Sequence, residues 1–447
     1  MMSNFSKFGF ILATLGSSIG LGHIWKFPYM AGVSGGGGFV ILFLFLSLSI
    51  GISMLVAEMI IGQSTRKNTT EAFKQLDPSK KKRWGYAGIT LIGGPFILTF
   101  YSIVLGWVLY YLFVVSFDLP QDIGASEARF DNLLTHSIWP QILGFTAVLG
   151  ITGWVVSRGI KNGIEKLNFV LMPLLFIIFI GLLIYAMSMS SFGRAFDFMF
   201  AFRFEDITTN VLVASLGQVF FSLSLGVGII ITYSASSTQE QNLLKSAIWV
   251  VIPGILISLI AGLMIFTFVF EYGAKVTQGA GLVFVSLPLI FGKMGLIGSV
   301  ISILFLCALG FAGITSTISL LEPSVMYIID RFGLKRANAT WLIVLGIYIA
   351  GIVLILSLNA DYQAKLTFFH KSLFDWVDFS SSAIVMPLGG LLSVIFVGWI
   401  VGKKRVYELS ENFLSKNMFE LWFFILRYIA PLVVIVIWVA KILDLFA

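Results

Sequence analysis

Apolar residues occur along this chain in long runs that are separated by short polar connections. A helix that crosses a bilayer needs about 20 mostly apolar residues. Segments of this kind lie near 8–29, 37–63, 86–117, 138–157, 164–188, 209–235, 243–270, 294–329, 340–357, 377–401 and 419–446. The pattern predicts an all-α polytopic membrane protein with eleven transmembrane helices, which are called spans 1 to 11 below.

The composition indicates that lipid is the solvent of most of the chain. Among the 447 residues, 58% are apolar and 11% are charged, whereas soluble proteins contain about 25% charged residues. This excludes a soluble enzyme, a disordered protein and a secreted domain held by disulfides, since Cys307 is the single cysteine. A membrane enzyme is not expected either, because the sequence offers no metal-ligand cluster and no nucleophile–base pair.

The net charge of +7 is explained by basic connections between spans better than by a surface for nucleic acid. Lysine and arginine concentrate at 66–83, 158–166, 331–336 and 403–405, whereas the connection between spans 3 and 4 is acidic. Because cytoplasmic connections are enriched in Lys and Arg, we expect a cytoplasmic N-terminus and an extracellular or periplasmic C-terminus. The predicted location is the cell membrane, surrounded by lipid, with neither nucleic acid nor an obligatory protein as a partner.

Two spans contain glycine and serine clusters in the middle of an apolar run. Span 1 reads GSSIGLG at 16–22, and span 6 reads SLSLGVG at 222–228. Glycine destabilises a helix by ~1 kcal/mol per residue, and bare backbone groups in hydrocarbon are tolerated only where protein, ion or ligand satisfies them. The two clusters therefore predict broken helices that line a binding site, where half-helix N-termini meet a carboxylate and freed carbonyls coordinate a cation. Close helix packing is the alternative interpretation.

The two interruptions lie five spans apart, which predicts a five-plus-five inverted repeat. Residues 1–188 would form the first repeat, 189–405 the second repeat, and 406–447 the additional span 11. The segment 271–292 between spans 7 and 8 is apolar but contains Gly and Pro. We expect it to form an extracellular helical hairpin that folds onto the membrane domain, with a plain connecting loop as the alternative.

Four segments carry a specific combination of motifs: GSSIGLGHIWKFPYMAGVSGGGGF at 16–39, GQVFFSLSLGVGIIITYSA at 217–235, FAGITSTISLLEP at 311–323 and FDWVDFSSS at 374–382. This combination resembles the neurotransmitter:sodium symporters and their bacterial amino-acid transporter relatives, which have the leucine-transporter fold. Gly163 and Pro173 match the Gly-x9-Pro spacing with which that family unwinds the cytoplasmic end of helix 5. The resemblance extends through span 11, as in an eleven-helix member of the family.

The resemblance implies one intact sodium site between spans 1 and 8. Its ligands would be backbone carbonyls and two hydroxyls, contributed by Gly16, Ile19, Ala312, Thr315 and Ser316. All of these are oxygen donors, as a hard cation requires. Ordinary packing of Ser and Thr within span 8 is the alternative interpretation.

The resemblance also implies a substrate site at the two interruptions. The amides of Leu21 and Gly22 and the hydroxyl of Tyr101 would meet a carboxylate, carbonyls near Ser222 would meet an ammonium group, and Phe221 would close over the substrate. The pocket for the side chain is mostly apolar, so a hydrophobic or aromatic amino acid is the expected substrate. The complete implied set is Ser18, Leu21, Gly22, Ile97, Tyr101, Phe221, Ser222, Ser224, Val227, Ser316 and Leu320.

Gate and support residues follow from the same resemblance. Lys26 and Asp378 resemble the outer-gate ion pair, Gln218 would join that vestibule, and Asp330 is assigned to the cytoplasmic gate. A lysine that snorkels to the interface and a solvated aspartate are the alternative for the outer pair. Glu58, a carboxylate within span 2, is expected to hydrogen-bond freed amides of span 6 and so to be architectural.

The first sodium site of the family is changed in this sequence. The family pattern has asparagine at the positions of His23 and Gly254, while Ser222 keeps a hydroxyl. Hard cations prefer oxygen ligands, so a protonated His23 near the substrate carboxylate is expected to stand in for that ion. A neutral His23 that hydrogen-bonds Ser222 is the alternative. Ser258 matches a chloride-linked serine, but Gly254 and Phe43 replace other groups of that anion site, so chloride is not expected.

The N-terminal segment differs from the family as well. Relatives often have an Arg and a Trp before helix 1 that close the cytoplasmic side, and residues 1–4 read MMSN here. We therefore expect the inward-open state to be populated more easily.

Taken together, the sequence predicts a secondary active transporter that imports a hydrophobic amino acid with a sodium gradient, by alternating access. One sodium ion would be used, and a proton is a second candidate ion. A non-transporting amino-acid sensor or a channel of the same fold is the alternative.

Overall fold

A computed structural model describes residues 4–202, 204–274 and 279–443. In this part of the chain nine helices are long and apolar enough to cross a membrane. They correspond to spans 2–5 and 7–11 and have these bounds: Gly37–Thr65, Arg83–Phe117, Ile138–Ser157, Ile160–Met187, Leu243–Glu271, Leu296–Phe332, Arg336–Leu358, Leu373–Ile400 and Lys416–Ala440.

The two remaining predicted spans are both interrupted. Span 1 consists of Lys7–Ser18 and Gly22–Val33, which are bent by 51° at the break. Span 6 consists of Thr209–Ser222 and Ile229–Ala235, and each of these helices alone is too short to cross a bilayer. The prediction of an all-α polytopic membrane protein is confirmed, whereas the total of eleven spans and the inverted repeat stay predictions.

Among the shorter elements, hydropathy indicated only the apolar helix Leu282–Lys293, because the others are polar or amphipathic. The helices are Thr69–Leu76, Ile123–Thr135, Phe192–Phe200, Phe204–Asp206, Leu282–Lys293, Ala360–Gln363 and Lys403–Ser410. A short antiparallel pair joins Thr367–Phe368 to Lys371–Ser372 between spans 9 and 10.

The segment 271–292 differs from the prediction. Its described part has one helix, Leu282–Lys293, and not the two arms of a hairpin, while residues 275–278 lie outside the described residues. The hydroxyl of Tyr111 donates to the carbonyl of Phe284 at 2.8 Å, and Ser126 donates to the carbonyl of Val285 at 2.8 Å. The helix is therefore tied to span 3 and to the acidic 3–4 connection.

Span 8 is central to the packing, since it contacts the first half of span 1 and spans 3, 4, 5 and 9. Polar links reinforce this packing: Thr152 of span 4 and Thr317 of span 8 share a hydrogen bond of 2.8 Å. Arg336 at the start of span 9 forms an ion pair with the buried Glu322. Such interhelical hydrogen bonds contribute about 0.6 kcal/mol each in membranes, and they hold span 8 as a fixed wall for the site described next.

Candidate functional site

The chain unwinds in span 6 between Ser222 and Ile229. Ser224, Gly226 and Gly228 have positive φ values of 52°, 82° and 76°. A Cβ atom at Gly226 would lie 2.2 Å from the backbone oxygen of Met386. Only glycine fits this position, so the local sequence dictates where the helix breaks.

Glu58 satisfies one of the backbone groups that the break exposes. Its Oε1 accepts a hydrogen bond of 2.9 Å from the amide of Gly226, and the residue is fully buried. This is the contact expected from the sequence. An unpaired amide at this depth would cost several kcal/mol, so span 2 supports the unwound segment of span 6.

The two interruptions are bonded to each other. The hydroxyl of Ser224 donates to the carbonyl of Ser17 at 2.8 Å. The Nε2 of Gln218 donates to the carbonyl of Gly22 at 2.7 Å and to the hydroxyl of Ser222 at 2.9 Å. Gln218 is buried, and its amide nitrogen points to the break in span 1. It also lines a smaller pocket together with Lys26 and Phe221, two residues of the outer vestibule where we expected it.

A small cavity lies at the meeting point. Its volume is about 40 Å³, which is room for a few water molecules. Most of the predicted substrate residues line it, and Ser17, Gly20 and Met386 line it without having been predicted. The complete lining is Ser17, Ser18, Gly20, Gly22, Ile97, Tyr101, Phe221, Ser224, Val227, Ser316, Leu320 and Met386.

Two predicted substrate residues lie just outside this lining. Leu21 lines the outer vestibule, although its amide donates to the hydroxyl of Tyr101 at 3.1 Å. The hydroxyl of Ser222 is engaged by Gln218. The structure thus brings Leu21 to the polar end of the cavity by its backbone and places Ser222 behind it.

The polar groups of the cavity converge on Gly20. A Cβ atom at Gly20 would lie 2.5 Å from the Oγ of Ser316 and 2.7 Å from the hydroxyl of Tyr101. Two hydroxyls and the free backbone of the span 1 break therefore surround one point. Hydroxyls and half-helix amides are the groups that receive an anionic substrate head in broken-helix transporters.

An outer vestibule of about 330 Å³ lies on the other side of Phe221. Lys26 and Asp378 both line it, together with Asp375. Phe221 and Tyr101 line this vestibule and the small cavity alike. The Nζ of Lys26 lies 4.0 Å from the centre of the Phe221 ring, a cation–π distance, so the lysine stabilises the ring in the position it has here.

The predicted sodium ligands of spans 1 and 8 lie side by side. The Oγ of Ser316 is 3.5 Å from the carbonyl oxygen of Gly16 and 3.1 Å from that of Ala312. The Oγ1 of Thr315 is 3.0 Å from the oxygen of Ala312. At Ile19 the backbone leaves the helix, with ψ of 92°. The donor set consists of hard oxygens and so fits a sodium ion.

Asn168 of span 5 is a site residue that sequence reasoning missed. A Cβ atom at Gly16 would lie 2.0 Å from its Oδ1 and 3.2 Å from the Cβ of Thr315. Its amide nitrogen donates to the carbonyl of Ile164 at 2.8 Å, whereas its buried Oδ1 has no hydrogen-bond partner among the described residues. Span 5 therefore places a hard oxygen, the Oδ1 of Asn168, next to the sodium ligands of spans 1 and 8.

His23 occupies the position of the changed sodium site. The residue is buried, with 1% of its surface exposed. A Cβ atom at Gly254 would lie 2.8 Å from its Nε2. Ser258 follows Gly254 by one turn and is also buried, and Phe43 packs against Phe27 at 4.9 Å between ring centres. The imidazole of His23 therefore occupies the space beside Gly254, where a side chain on span 7 would otherwise lie.

The first turns of span 5, where the resemblance places the unwinding motif, form a π-helix in this structure. Gly163 lies in the π-helical segment Ile160–Glu165, and a Cβ atom there would lie 2.1 Å from the oxygen of Val155. Pro173 lies within the helix Lys166–Met187. Both family positions are therefore structural in this conformation.

The first described residues contact other spans on the side of the basic connections. Phe5 is buried and packs on Tyr233 at 5.3 Å, and the hydroxyl of Ser6 donates to Glu165 at 2.5 Å. Asp330 accepts a hydrogen bond of 2.8 Å from Asn68. The predicted lack of a latch concerns residues 1–4, of which 1–3 lie outside the described residues. The described part of the N-terminus makes contacts of its own.

These features define a class of protein. Two interrupted membrane helices meet around a polar cavity, and a group of hard oxygen donors lies beside it. This is the architecture of secondary transporters with broken helices.

Comparisons with known proteins give the family. The model of the sodium:neurotransmitter symporter family matches residues 3–127 and 131–446. The protein named "Uncharacterized sodium-dependent transporter YhdH" of Bacillus subtilis is 35% identical over 438 residues, covering 97% of this chain and 96% of that protein. An "Uncharacterized sodium-dependent transporter" of Haemophilus influenzae is 32% identical over 449 residues, covering 98% and 97%.

A solved structure agrees with these relatives. The crystal structure of MhsT in complex with L-phenylalanine matches with a TM-score of 0.88 and 33% identity, covering 99% of this chain and 100% of that one. The chain therefore belongs to the sodium:neurotransmitter symporter family. It is a sodium-dependent membrane transporter and not an enzyme, as the sequence predicted.

Proposed function

We propose that this transporter imports a hydrophobic or aromatic amino acid by sodium symport. The observation that carries the proposal is the position of Ser316, which lines the cavity between the two helix breaks and also contacts the carbonyl of Gly16. One side chain thus faces both the substrate cavity and the sodium ligand set. Binding of the ion and binding of the substrate are then linked through shared groups, and linkage of this kind is reciprocal.

The substrate head groups dock at the polar end of the cavity. The Leu21 amide and the Tyr101 hydroxyl receive the carboxylate, because the N-terminus of a half-helix favours negative charge. Carbonyls released by the unwound segment near Ser222 and the carbonyl of Ser18 receive the ammonium group. A zwitterion satisfies both sets, whereas a plain cation or anion satisfies one.

The opposite end of the cavity selects the side chain. Ile97, Val227, Leu320 and Met386 surround it, and no charged residue is among the lining residues that the structure describes. The solved complex of MhsT holds L-phenylalanine, which is a substrate of the class proposed here. Since the cavity measures about 40 Å³, its walls must move apart when a large side chain binds.

Alternating access follows from the gates. Spans 1, 2, 6 and 7 rock against spans 3, 4, 8 and 9, and Phe221 closes the outer side with Lys26 and Asp378. Sodium binds better to the outward-facing state, in which spans 1 and 8 are in contact, and a ligand shifts an equilibrium only by such a difference in affinity. Opening to the inside separates Gly16 from Ser316 and releases the ion.

The changed sodium site carries a proton in our proposal. His23 becomes protonated when the substrate carboxylate binds, since a nearby anion favours the charged imidazole while burial opposes it. Gly254 of span 7 lies beside the ring and brings no ionisable group to it. Chloride is not required, because Phe43 and Gly254 do not offer groups for an anion.

Uptake into proteoliposomes tests the proposal. Radiolabelled phenylalanine and leucine are expected to accumulate above equilibrium with an inward sodium gradient and not with a potassium gradient. Lysine and glutamate serve as matched charged controls and are expected to stay at background. Binding without accumulation would indicate a sensor, downhill flux without accumulation would indicate a channel, and either result would overturn the proposal.

A further inference from the structure

A second cavity lies away from the substrate site, on the side with the basic connections that the charge pattern assigns to the cytoplasm. Its volume is about 740 Å³. We call it the basic groove and define it by Lys74, Lys81, Lys82, Tyr86, Ile328 and Ile343. Its walls come from the connection after span 2, the start of span 3, the end of span 8 and span 9.

One end of the basic groove is strongly basic. Residues 71–83 contain five cationic residues and two carboxylates. The Nζ of Lys74 forms an ion pair with the Oε1 of Glu71 at 2.6 Å, and both side chains are about half exposed. Lys81 is exposed and has no ion-pair partner among the described residues. An anion that enters the groove therefore meets positive charge that the protein itself does not neutralise.

The turn that presents these lysines is held from within. Asp77 accepts hydrogen bonds from the amides of Ser79 at 2.8 Å and Trp84 at 3.0 Å, and Lys82 donates to its backbone carbonyl. Burial alone would raise the pKa of Asp77, but these hydrogen bonds and the charge of Lys82 hold it below its usual value. The ionised carboxylate of Asp77 thus stabilises the turn.

The other end of the basic groove is apolar and continues into a neighbouring pocket. That pocket measures about 290 Å³ and is lined by Phe96, Ile384 and other apolar residues of spans 3 and 10. Ile89 and Ile92 line both cavities and are 57% and 64% exposed. They form an exposed ridge between the two adjoining cavities.

We propose that the basic groove binds an anionic glycerophospholipid of the inner leaflet. Its phosphate lies against Lys74 and Lys81, one acyl chain lies between Ile328 and Ile343, and the second crosses the ridge into the neighbouring pocket. Basic pockets between helices on the cytoplasmic side are sites for anionic lipid head groups. A soluble phosphate would bind the lysines and leave both apolar channels empty. The arrangement therefore favours a lipid with two acyl chains.

Thermal unfolding of the delipidated full-length protein tests this site. In a non-ionic detergent, phosphatidylglycerol is expected to raise the unfolding midpoint, whereas phosphatidylcholine and inorganic phosphate leave it unchanged. Lyso-phosphatidylglycerol, with one chain, is expected to act more weakly. Equal stabilisation by inorganic phosphate would mean a simple anion site, and equal stabilisation by phosphatidylcholine would mean no head-group recognition; either would overturn the proposal.

Variants locate the lipid. In native mass spectrometry Lys74→Gln/Lys81→Gln is expected to bind phosphatidylglycerol at least fivefold more weakly, since each lysine near a membrane surface contributes about fivefold to anionic lipid binding. Lys161→Gln/Lys404→Gln removes two exposed cytoplasmic lysines outside the groove and serves as the matched control. Ile328→Trp keeps the charges and fills an apolar channel, so it is expected to weaken binding as well. Unchanged binding in both groove variants would overturn the proposal.

Discussion

The imidazole of His23 and the missing side chain of Gly254 are complementary: a Cβ atom at Gly254 would lie 2.8 Å from the His23 Nε2. The histidine on span 1 therefore requires glycine on span 7. Each departure from the family pattern explains the other, because the larger ring fills the space that the absent asparagine leaves.

The His23–Gly254 pair predicts a conversion between ions. His23→Asn/Gly254→Asn replaces one imidazole ring by two amide oxygens, which are the donors that hard cations prefer. We therefore expect a second sodium ion to bind. The Hill coefficient for sodium is expected to rise from about one towards two. The pH dependence of substrate affinity is expected to disappear in this double variant. Scintillation binding of a hydrophobic amino acid at two pH values measures both effects.

The single variants act as controls for that experiment. Gly254→Asn alone places a side chain against His23 and is expected to cost about 1–3 kcal/mol of stability through overpacking. His23→Asn alone is expected to remove the pH dependence without adding a sodium ion. If His23→Asn and the parent protein give the same pH profile, the proton hypothesis is wrong.

Val227 predicts substrate size. Its side chain lines the cavity and lies beside Gly93 of span 3, so a larger residue at this position would take up space that the substrate side chain needs. Val227→Phe is expected to weaken binding of phenylalanine and tryptophan by about tenfold or more, because overpacking a core costs about 1–3 kcal/mol. Alanine and glycine are expected to retain their affinity, which competition binding checks. Val227→Ile is the matched control; an equal loss for small and large substrates would contradict this account of selectivity.

Asn168 predicts a contribution to sodium binding. Its buried Oδ1 faces Gly16, and Asn168→Ala removes that oxygen. We expect sodium affinity to fall by about fivefold. This corresponds to ~1 kcal/mol, which is the usual net contribution of one hydrogen bond. Asn168→Asp keeps the oxygen, adds charge and is expected to tighten sodium binding.

Sodium titration of protein stability in the absence of substrate separates ion binding from transport. A structural role for Asn168 would lower stability equally with and without sodium. Unchanged sodium dependence in both Asn168 variants would show that this oxygen lies outside the ion's reach.

Glu58 is expected to contribute to the stability of the fold and not to contact the substrate. Glu58→Ala leaves the Gly226 amide without its partner, and an unsatisfied buried donor costs about 1–3 kcal/mol. Glu58→Gln keeps an acceptor oxygen and is expected to be close to the parent protein. Thermal unfolding in detergent compares them. A Glu58→Gln variant as unstable as Glu58→Ala would mean that the negative charge matters beyond the hydrogen bond.

The contact between Ser6 and Glu165 is expected to keep the cytoplasmic gate closed. Ser6 is bound to Glu165 by its hydroxyl at 2.5 Å and by its amide at 3.2 Å. Glu165→Ala removes both bonds, so we expect the inward-open state to gain population and a cysteine probe in the inner vestibule to label several-fold faster without sodium. Sodium is expected to reverse the change, since it favours the outward-facing state. The exposed pair of Lys7 and Glu240 offers a matched control, as Glu240→Ala breaks a solvated contact worth little.

Local composition was sufficient to locate the long apolar helices and the positions of the breaks. Hydropathy located the long helices because each one satisfies its own backbone hydrogen bonds, and the glycine clusters marked where helices cannot continue. The motifs added the identity of most residues in the cavity and the contact between Glu58 and Gly226.

Tertiary packing decided the rest, because the relevant neighbours come from distant segments. Nothing in the local sequence shows that Gln218 turns towards Gly22, that Asn168 of span 5 reaches the sodium ligands, or that Gly254 makes room for His23. The basic groove is likewise assembled from four separate segments. A sequence determines which residues are available at each depth of the membrane, and only the packed helices determine which of them meet.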